Sequence, residues 1–347
     1  LIAADAMAVV VVTHQSAQHI PGLADVLADQ LLEEDELVIV DNASTDGTPE
    51  AARSSLGRAR VVQTGANLGF AGGCHAGVQS TRAPLLLFLN PDCRPHPNCL
   101  ERLRRSAAAH PTWAAWQAAV LLDEDRIASS GGVIHYLGIA WAGDCERPVS
   151  ALPGGDREIA FPSGAAMVVR REIWLALGGL DREYFMYSED VDLGLRLWLA
   201  GHRVGLLPGA RVTHHYEFDK GLYKWFWLER NRWRTVLSVY PAPLLALIAP
   251  ALLATELFLL AVAARQGWLR AKLRAQAAVI GDLPQILARR RAVQRTRRVD
   301  AAQLASHLTS SLDSPYLGAA AQRRWGYAAQ SAYWTAVVRA LRMLRRR

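Results

Sequence analysis

The stretch APLLLFLNPD, Ala83–Asp92, decides how this chain is read: an apolar run from Ala83 to Leu89 ends in a polar turn that carries a carboxylate. A continuous apolar run of this kind is the pattern of a strand covered on both faces. A carboxylate directly after it either closes a turn or holds a ligand. Upstream, AVVVVT (8–13), ELVIVD (36–41) and ARVVQT (59–64) have the same strand character. Between the first two lies a helical segment, Pro21 to Leu32, with Leu23, Val26, Leu27 and Leu31 at helical spacing. After the second comes the turn NASTDGT, in which Ser44 or Thr45 stands where a cap is needed for a helix through Ala52. This β-α-β-α-β-α-β alternation predicts an α/β domain with a mostly parallel, Rossmann-like sheet flanked by helices. Ligands bind such sheets beyond the C-terminal ends of the strands. Here those ends are Thr13-His14, Asp41-Asn42 and Asn90-Pro91-Asp92, all polar.

The sequence of 347 residues is 51% hydrophobic, enough for one large domain with an appendage or two modest domains. Its net charge of +7 is unevenly distributed: residues 1–219 carry 17 Lys and Arg against 27 Asp and Glu, and residues 220–347 carry 22 against 5. A strongly basic rear half predicts contact with a polyanion or an anionic membrane. The four cysteines, Cys74, Cys93, Cys99 and Cys145, form no C-x-x-C pair, which suits a reduced compartment and buried thiols. No basic segment followed by an apolar stretch and a cleavage site opens the chain, so the catalytic part is expected in the cytoplasm.

The middle, about 111–219, reads as mixed strands and loops with a helix around 189–201, opened by Glu189 and Asp190. Carboxylates in a first turn are favoured by the helix dipole, which is a sufficient structural reason for them. Pro241 to Ala264 is a 24-residue apolar run, roughly 36 Å if helical and long enough to span a bilayer. Its three prolines, Glu256 and basic flanks on both sides favour instead an interfacial or re-entrant helix pair. The segment 270–298 continues as a basic amphipathic helix suited to anionic lipid.

Two further motifs point to a nucleotide. VDNASTDGT follows a buried strand, although an ordinary strand–turn–helix connection has the same composition. NLGFAGGCHAG (67–77) has four glycines, which let backbone N–H groups approach phosphate oxygens, yet it matches neither the dinucleotide nor the phosphate-loop pattern. Taken in order, a strand ending in Thr13, then VDNASTDGT, NLGFAGG, FLNPD, FMYSED and RVTHH, the chain resembles the family-2 glycosyltransferases of the GT-A fold. Within them it is similar to bacterial rhamnosyltransferases that use dTDP-rhamnose and polyprenyl-diphosphate-linked acceptors. The resemblance covers about residues 8–235, with a looser apolar-then-basic tail from 236 to 347 like that of membrane-associated members.

The resemblance implies roles residue by residue. Thr13 and Asp41 would line the base and ribose pocket, with Asn42 and Asp46 shaping the turn. Asn67, Gly69 and Phe70 would form the loop beside the nucleotide, with Asn90 at the end of the next strand. Asp92 stands where relatives carry D-x-D and would bind Mg²⁺ or Mn²⁺ against the donor diphosphate. Since one carboxylate of that pair is missing, His214 or His215 would supply a second ligand. Asp190 matches the family's base, kept ionised by the helix dipole, and Glu189 would orient the acceptor or support the pocket. Ser163 and Gly164 would lie near the transferred sugar, and Trp225, in the aromatic and basic segment 223–233, near the lipid acceptor.

His75 and Glu217 depart from the residues common in relatives and leave the donor sugar and the choice of histidine open. The expected function is therefore an inverting, metal-dependent hexosyltransferase at the cytoplasmic face of the membrane, peripheral or re-entrant, and possible as an oligomer. Its products would serve cell-wall or surface polysaccharide. A galactofuranosyl or N-acetylglucosaminyl donor is the near alternative. A non-catalytic nucleotide-binding module with a nucleic-acid-binding tail is the distant one, since 24 apolar residues fit lipid better than nucleic acid.

Overall fold

The computed structural model describes residues 5–214, 221, 223–313 and 324–345, and the chain divides into two units. The first comprises Leu1–Gly132, Ala142–Gly194 and His202–Tyr216; the second comprises Val133–Trp141, Leu195–Gly201 and Glu217–Arg347.

The strands are β1 (Met7–Thr13), β2 (Glu36–Asp41), β3 (Arg60–Gln63), β4 (Leu85–Leu89), β5 (Cys93–Pro95), β6 (Trp113–Leu121) and β7 (Ile127–Ser129). They continue with β8 (Gly132–Ile134), β9 (Ala140–Ala142), β10 (Arg157–Glu158), β11 (Ala166–Arg170) and β12 (Arg203–His214). All but β8 and β9, which form their own ribbon, belong to one sheet of order β10-β12-β6-β11-β4-β1-β2-β3, with β5 on β12 and β7 on β6. The strands β3, β2, β1 and β4 are parallel, as the alternation predicts. Beyond β4 the sheet is mixed, because β11 is antiparallel to both β4 and β6 while β12 runs parallel to β6. The expectation of a mostly parallel sheet therefore holds for the first half alone. The reason is where the chain re-enters. Asn90 N–H donates to the Ala165 carbonyl at the C-terminal end of β4, so a strand starting at Ala166 can only run back along it.

The helices that accompany this sheet are α1 (Ile20–Ala28), α2 (Thr48–Ser55), α3 (Gly69–Gln79), α4 (Cys99–Ala109), α5 (Arg171–Leu177) and α6 (Glu189–Leu199), the last of which runs on into the second unit. Two local expectations are corrected. The first helix stops at Ala28, short of Leu32. Neither Ser44 nor Thr45 caps α2: the Ser44 hydroxyl accepts from Gln15 N–H, Thr45 bonds the Gln15 side chain, and Asp46 takes the Thr48 N–H. Two glycines of α3 have a packing role as well. A Cβ on Gly73 would lie 2.4 Å from Val12 Cγ1, and one on Gly77 2.3 Å from Val10 Cγ1, so they let α3 lie directly on β1.

The second unit holds α7 (Tyr223–Val239), α8 (Ala242–Gln266), α9 (Leu269–Gly281), α10 (Leu283–Arg295), α11 (Ala301–Ala305) and α12 (Arg324–Arg345). The apolar run forms one continuous helix, α8, with Pro250 inside it, rather than a re-entrant pair. By length and composition α8 could cross a membrane. It buries Leu244, Ile248, Leu252 and Glu256 and exposes Leu253, Leu257 and Phe258. The basic segment is two helices, broken at Asp282, whose carboxylate pairs with Arg230 at 2.7 Å.

Glu256 belongs to a buried charge cluster. It pairs with Arg232 and, at 2.8 Å, with Lys272, and it accepts from Gln276 at 2.9 Å. Glu229 pairs with the same two cations. Burial by itself would raise the Glu256 pKa, but Arg232 and Lys272 outweigh it and lower it. Lys272 is fully buried, so removing one partner leaves an uncompensated charge. Glu256→Ala should therefore destabilise the protein by about 3–5 kcal/mol. Urea denaturation followed by far-UV circular dichroism measures this, and a loss below about 1 kcal/mol would mean the cluster is no more than a surface-grade ion pair.

Candidate active site

The C-terminal ends of β1 and β2 are closed over by their own hydrogen bonds. Thr13, fully buried, donates its hydroxyl to the Val40 carbonyl, and the Asp41 carboxylate accepts the Ser44 N–H at 3.2 Å. Asn42 ties the next loop down: its amide donates to Gly69 O at 2.9 Å and its carbonyl accepts from Thr64 Oγ1. Asn67 Oδ1 in turn accepts the Gly69 N–H. Asp46 is exposed; it accepts from Ala17 N–H and from both donors of Thr48, and although burial works slightly against it, these bonds lower its pKa.

The loop at the start of α3 is clamped to the segment before α6. Phe70 N–H donates to Phe185 O at 2.7 Å, and Gly69 has φ +69°, with a would-be Cβ 2.3 Å from that same oxygen. No other residue fits there. Phe70 also packs against Gly164, whose Cβ would meet the ring at 2.9 Å.

A second cluster forms where β4 and β12 end. His214 Nε2 lies 3.1 Å from Asp92 Oδ1, and Asn90 Nδ2 approaches the same nitrogen at 3.4 Å. Register explains the meeting, since β12 pairs with β5 so that His214 faces Cys93, the neighbour of Asp92. Burial alone would raise the Asp92 pKa, but the His214 hydrogen bond and charge outweigh it and lower it. Asp92, Cys93 and His214 offer ligand atoms within 4.8 Å of one another, the one such group among the described residues. Burial pushes the Cys93 thiol far up, and its S–H donates to Ala165 O. A carboxylate oxygen and an imidazole nitrogen are a donor set that Mg²⁺ or Mn²⁺ accepts, with further positions left for phosphate and water. The residues present fit such an ion. His215 lies outside the described residues.

A third cluster surrounds the start of α6. Asp190 Oδ2 accepts the Gly164 N–H at 3.2 Å and Oδ1 the Val191 N–H at 2.8 Å. Burial nonetheless raises the Asp190 pKa to about 6, with those main-chain donors opposing it. The helix dipole therefore does not keep this carboxyl acidic; desolvation wins. Glu189 is more deeply buried, its Oε2 has no hydrogen-bond partner, and burial together with the Asp190 charge pushes it well above the usual carboxylate range.

The clusters share one segment. Ser163 N–H donates to Gln117 Oε1, Gly164 N–H to Asp190, and the Ala165 carbonyl accepts from Asn90 N–H and the Cys93 thiol. Asp190 and the residues on either side of the Pro91–Asp92 corner are thus held by neighbouring residues of one short turn. Trp225 belongs to the second unit, with its ring stacked on Trp268 at 4.7 Å. The sequence reading missed Cys93, Phe185 and Gln117. Only the last left a signal, a lone amide in the apolar run WAAWQAAVL.

An α/β sheet with a carboxylate–histidine pair at its strand ends and a desolvated carboxylate at the start of α6 has the groups that an enzyme using a cation and a proton acceptor needs. Comparison with known proteins agrees. The model described as glycosyl transferase family 2 matches residues 8–127, and that described as glycosyl transferase family group 2 matches residues 85–280. The chain is 30% identical over 244 residues to the N-acetylglucosaminyl-diphospho-decaprenol L-rhamnosyltransferase of Mycobacterium tuberculosis, covering 62% of this chain and 78% of that one. It is 36% identical over 78 residues to the rhamnosyltransferase WbbL of Escherichia coli, covering 22% of this chain and 28% of that one. A crystal structure of GalNAc-T7 with UDP, GalNAc and Mn²⁺ superposes with a TM-score of 0.54 at 14% identity, over 70% of this chain and 50% of that one. The chain belongs to glycosyl transferase family 2, has a GT-A-like fold, and is a hexosyltransferase, as its ordered motifs implied.

The burial of Asp190 has a direct readout. A ¹³C carboxyl titration of the wild-type protein, assigned by its loss in Asp190→Asn, should give a midpoint of about 6. A midpoint at the ordinary aspartate value of about 3.9 would mean that the group is solvated.

Proposed function

We propose that the protein is an inverting, divalent-metal-dependent transferase that moves L-rhamnose from dTDP-rhamnose to a sugar carried on a polyprenyl diphosphate. The observation that carries this reading is that one turn, Ser163–Ala165, bonds both Asp190 and the residues flanking Asp92, which pairs with His214. It supplies a proton acceptor and a cation-holding pair at a fixed spacing. Two relatives named as rhamnosyltransferases, one of them acting on an N-acetylglucosaminyl-diphospho lipid, support the choice of sugar and acceptor.

Asp92 and His214 would hold Mg²⁺ or Mn²⁺, which when bound offsets the charge of the leaving diphosphate. Thr13, Asp41 and Asn42 line the nucleotide end of the sheet, with Asp46 and Asn67 holding the loops around it. Asp190, ionised above about pH 6, takes the proton of the acceptor hydroxyl as its oxygen attacks the anomeric carbon. The diphosphate departs on the opposite side, so the configuration inverts. Glu189, buried beside Asp190 at the start of α6, supports the pocket in which that base stands.

The second unit would bind the cytoplasmic leaflet. Leu253, Leu257 and Phe258 are exposed on α8, and exposed arginines, Arg265, Arg270 and Arg274, follow on α8 and α9. Glu256, fixed on the opposite side by Lys272 and Arg232, favours a helix lying on the bilayer over one crossing it.

Two experiments test this. With dTDP-rhamnose, Mg²⁺ and a short-chain lipid-diphosphate N-acetylglucosamine, the wild type should transfer rhamnose. Asp92→Ala should lose metal-stimulated turnover, and Asp190→Asn should bind donor yet lose about 10²–10⁴-fold in rate. Metal dependence unchanged in Asp92→Ala would remove the metal assignment, and transfer from a UDP-sugar alone would move the donor. Separately, the protein should sediment with phosphatidylglycerol vesicles and be released by alkaline carbonate. Leu257→Asp with Phe258→Asp should abolish sedimentation; resistance to carbonate would favour a span.

A further inference from the structure

Strand β6 runs through the middle of the sheet with all nine of its residues buried, and its sequence is apolar except for one amide. Gln117 is fully buried between β11 and β12, opposite Met167 and Leu206. An uncharged polar group in such a place costs free energy unless both of its ends are paired. Both are. Oε1 accepts the Ser163 N–H at 2.6 Å and Nε2 donates to the Ala118 carbonyl at 3.0 Å. The orientation is unambiguous, because a main-chain N–H can only donate and must therefore face the amide oxygen.

Ser163 opens the turn on which both acids hang. Its neighbour Gly164 donates to Asp190, and Ala165 accepts from Asn90 and Cys93, the residues on either side of the Pro91–Asp92 corner. The turn also has little lateral freedom, since Gly164 abuts the Phe70 ring. Among the described residues, the side chain that ties its first residue to the sheet interior is Gln117.

We infer that Gln117 is a positioning residue for sugar transfer: by fixing Ser163 it sets the height of the Ser163–Ala165 turn above the sheet, and with it the placement of Asp190 and of the Asp92 corner together. It touches neither substrate nor ion. The inference rests on the proposed roles of Asp190 and Asp92. A hydrogen bond that merely satisfied Ser163 would matter for stability alone, whereas a positioning bond should matter for both acids at once, at a distance from either.

Two substitutions separate these cases. Gln117→Met keeps the length and volume but removes the acceptor. Gln117→Glu, in its neutral form, restores both contacts, with a carbonyl for Ser163 N–H and a hydroxyl for the Ala118 oxygen. For each, the melting temperature, the affinity for Mn²⁺ in the presence of dTDP by electron paramagnetic resonance, and kcat and donor KM for transfer are measured. Gln117→Met should lose about 10–100-fold in kcat and in Mn²⁺ affinity, and Gln117→Glu should recover most of both. A Met variant that melts lower but keeps kcat and Mn²⁺ affinity overturns the inference. If the Met variant does not fold, the Glu variant decides: wild-type values for both quantities support the inference, and a loss of both at an unchanged melting temperature overturns it. A wild type that transfers no sugar from any donor defeats the functional reading, while the Mn²⁺ comparison still judges Gln117.

Discussion

The close approach of α3 to β1 governs the geometry of the active site. With no side chain at Gly73 or Gly77, the helix rests on Val12 and Val10. That depth brings its first turn to Phe185, where the Phe70 N–H is accepted by the Phe185 carbonyl and Gly69 leaves room for it. His75, further along the same helix, bonds the Leu180 carbonyl at 2.6 Å, so α3 holds the following segment at two places. Between those holds and α6 the backbone adopts positive φ at Phe185, Tyr187 and Ser188. Each such residue costs on the order of 1–2 kcal/mol and persists only where the surroundings enforce it. The strained loop ends at Glu189 and Asp190. A packing choice in the core thus decides where the buried carboxyl pair stands.

Two acids in one site are given opposite characters by their surroundings. At Asp92 an imidazole 3.1 Å away outweighs burial, and the group stays an anion fit to hold a cation. At Asp190 burial outweighs two main-chain donors, and the group is poised to gain a proton near neutrality. Environments that push two titratable groups apart divide the chemical labour between them. Glu189 beside it is pushed the same way, by burial and by the Asp190 charge.

How much of this could be read from sequence depends on how local the cause is. The four parallel strands were legible because each is a short apolar run closed by polar residues, a property of the run itself. The antiparallel course of β11 was not, because it depends on Ala165 meeting Asn90 across 75 residues of chain. The glycines of NLGFAGGCHAG were legible as a close approach, but composition cannot say whether a phosphate or a valine comes close. Asp190 stands at a helix start as expected, yet its acidity was misjudged: a helix N-terminus is visible in sequence and burial is not. His214 was paired with Asp92 through family resemblance, since 122 residues separate them and only the register of β12 on β5 joins them. The lone amide of β6 was in plain view, but its partner lies 46 residues away.

Glu256 has the same lesson in the second unit, with the sign reversed. In the sequence it counts against a membrane span, as a charge within an apolar run. In the structure it defines which side of α8 is inside. An apolar helix without it could turn about its axis with little change in burial, because leucines and alanines surround it on all sides. Pairing with Lys272 and Arg232 removes that freedom, as a single polar residue fixes register in a coiled coil. The two glutamates and two cations cancel, so the cluster adds direction without net charge. The consequence is a helix whose buried stripe is polar at its middle and whose outward stripe of Leu253, Leu257 and Phe258 is left for an apolar solvent.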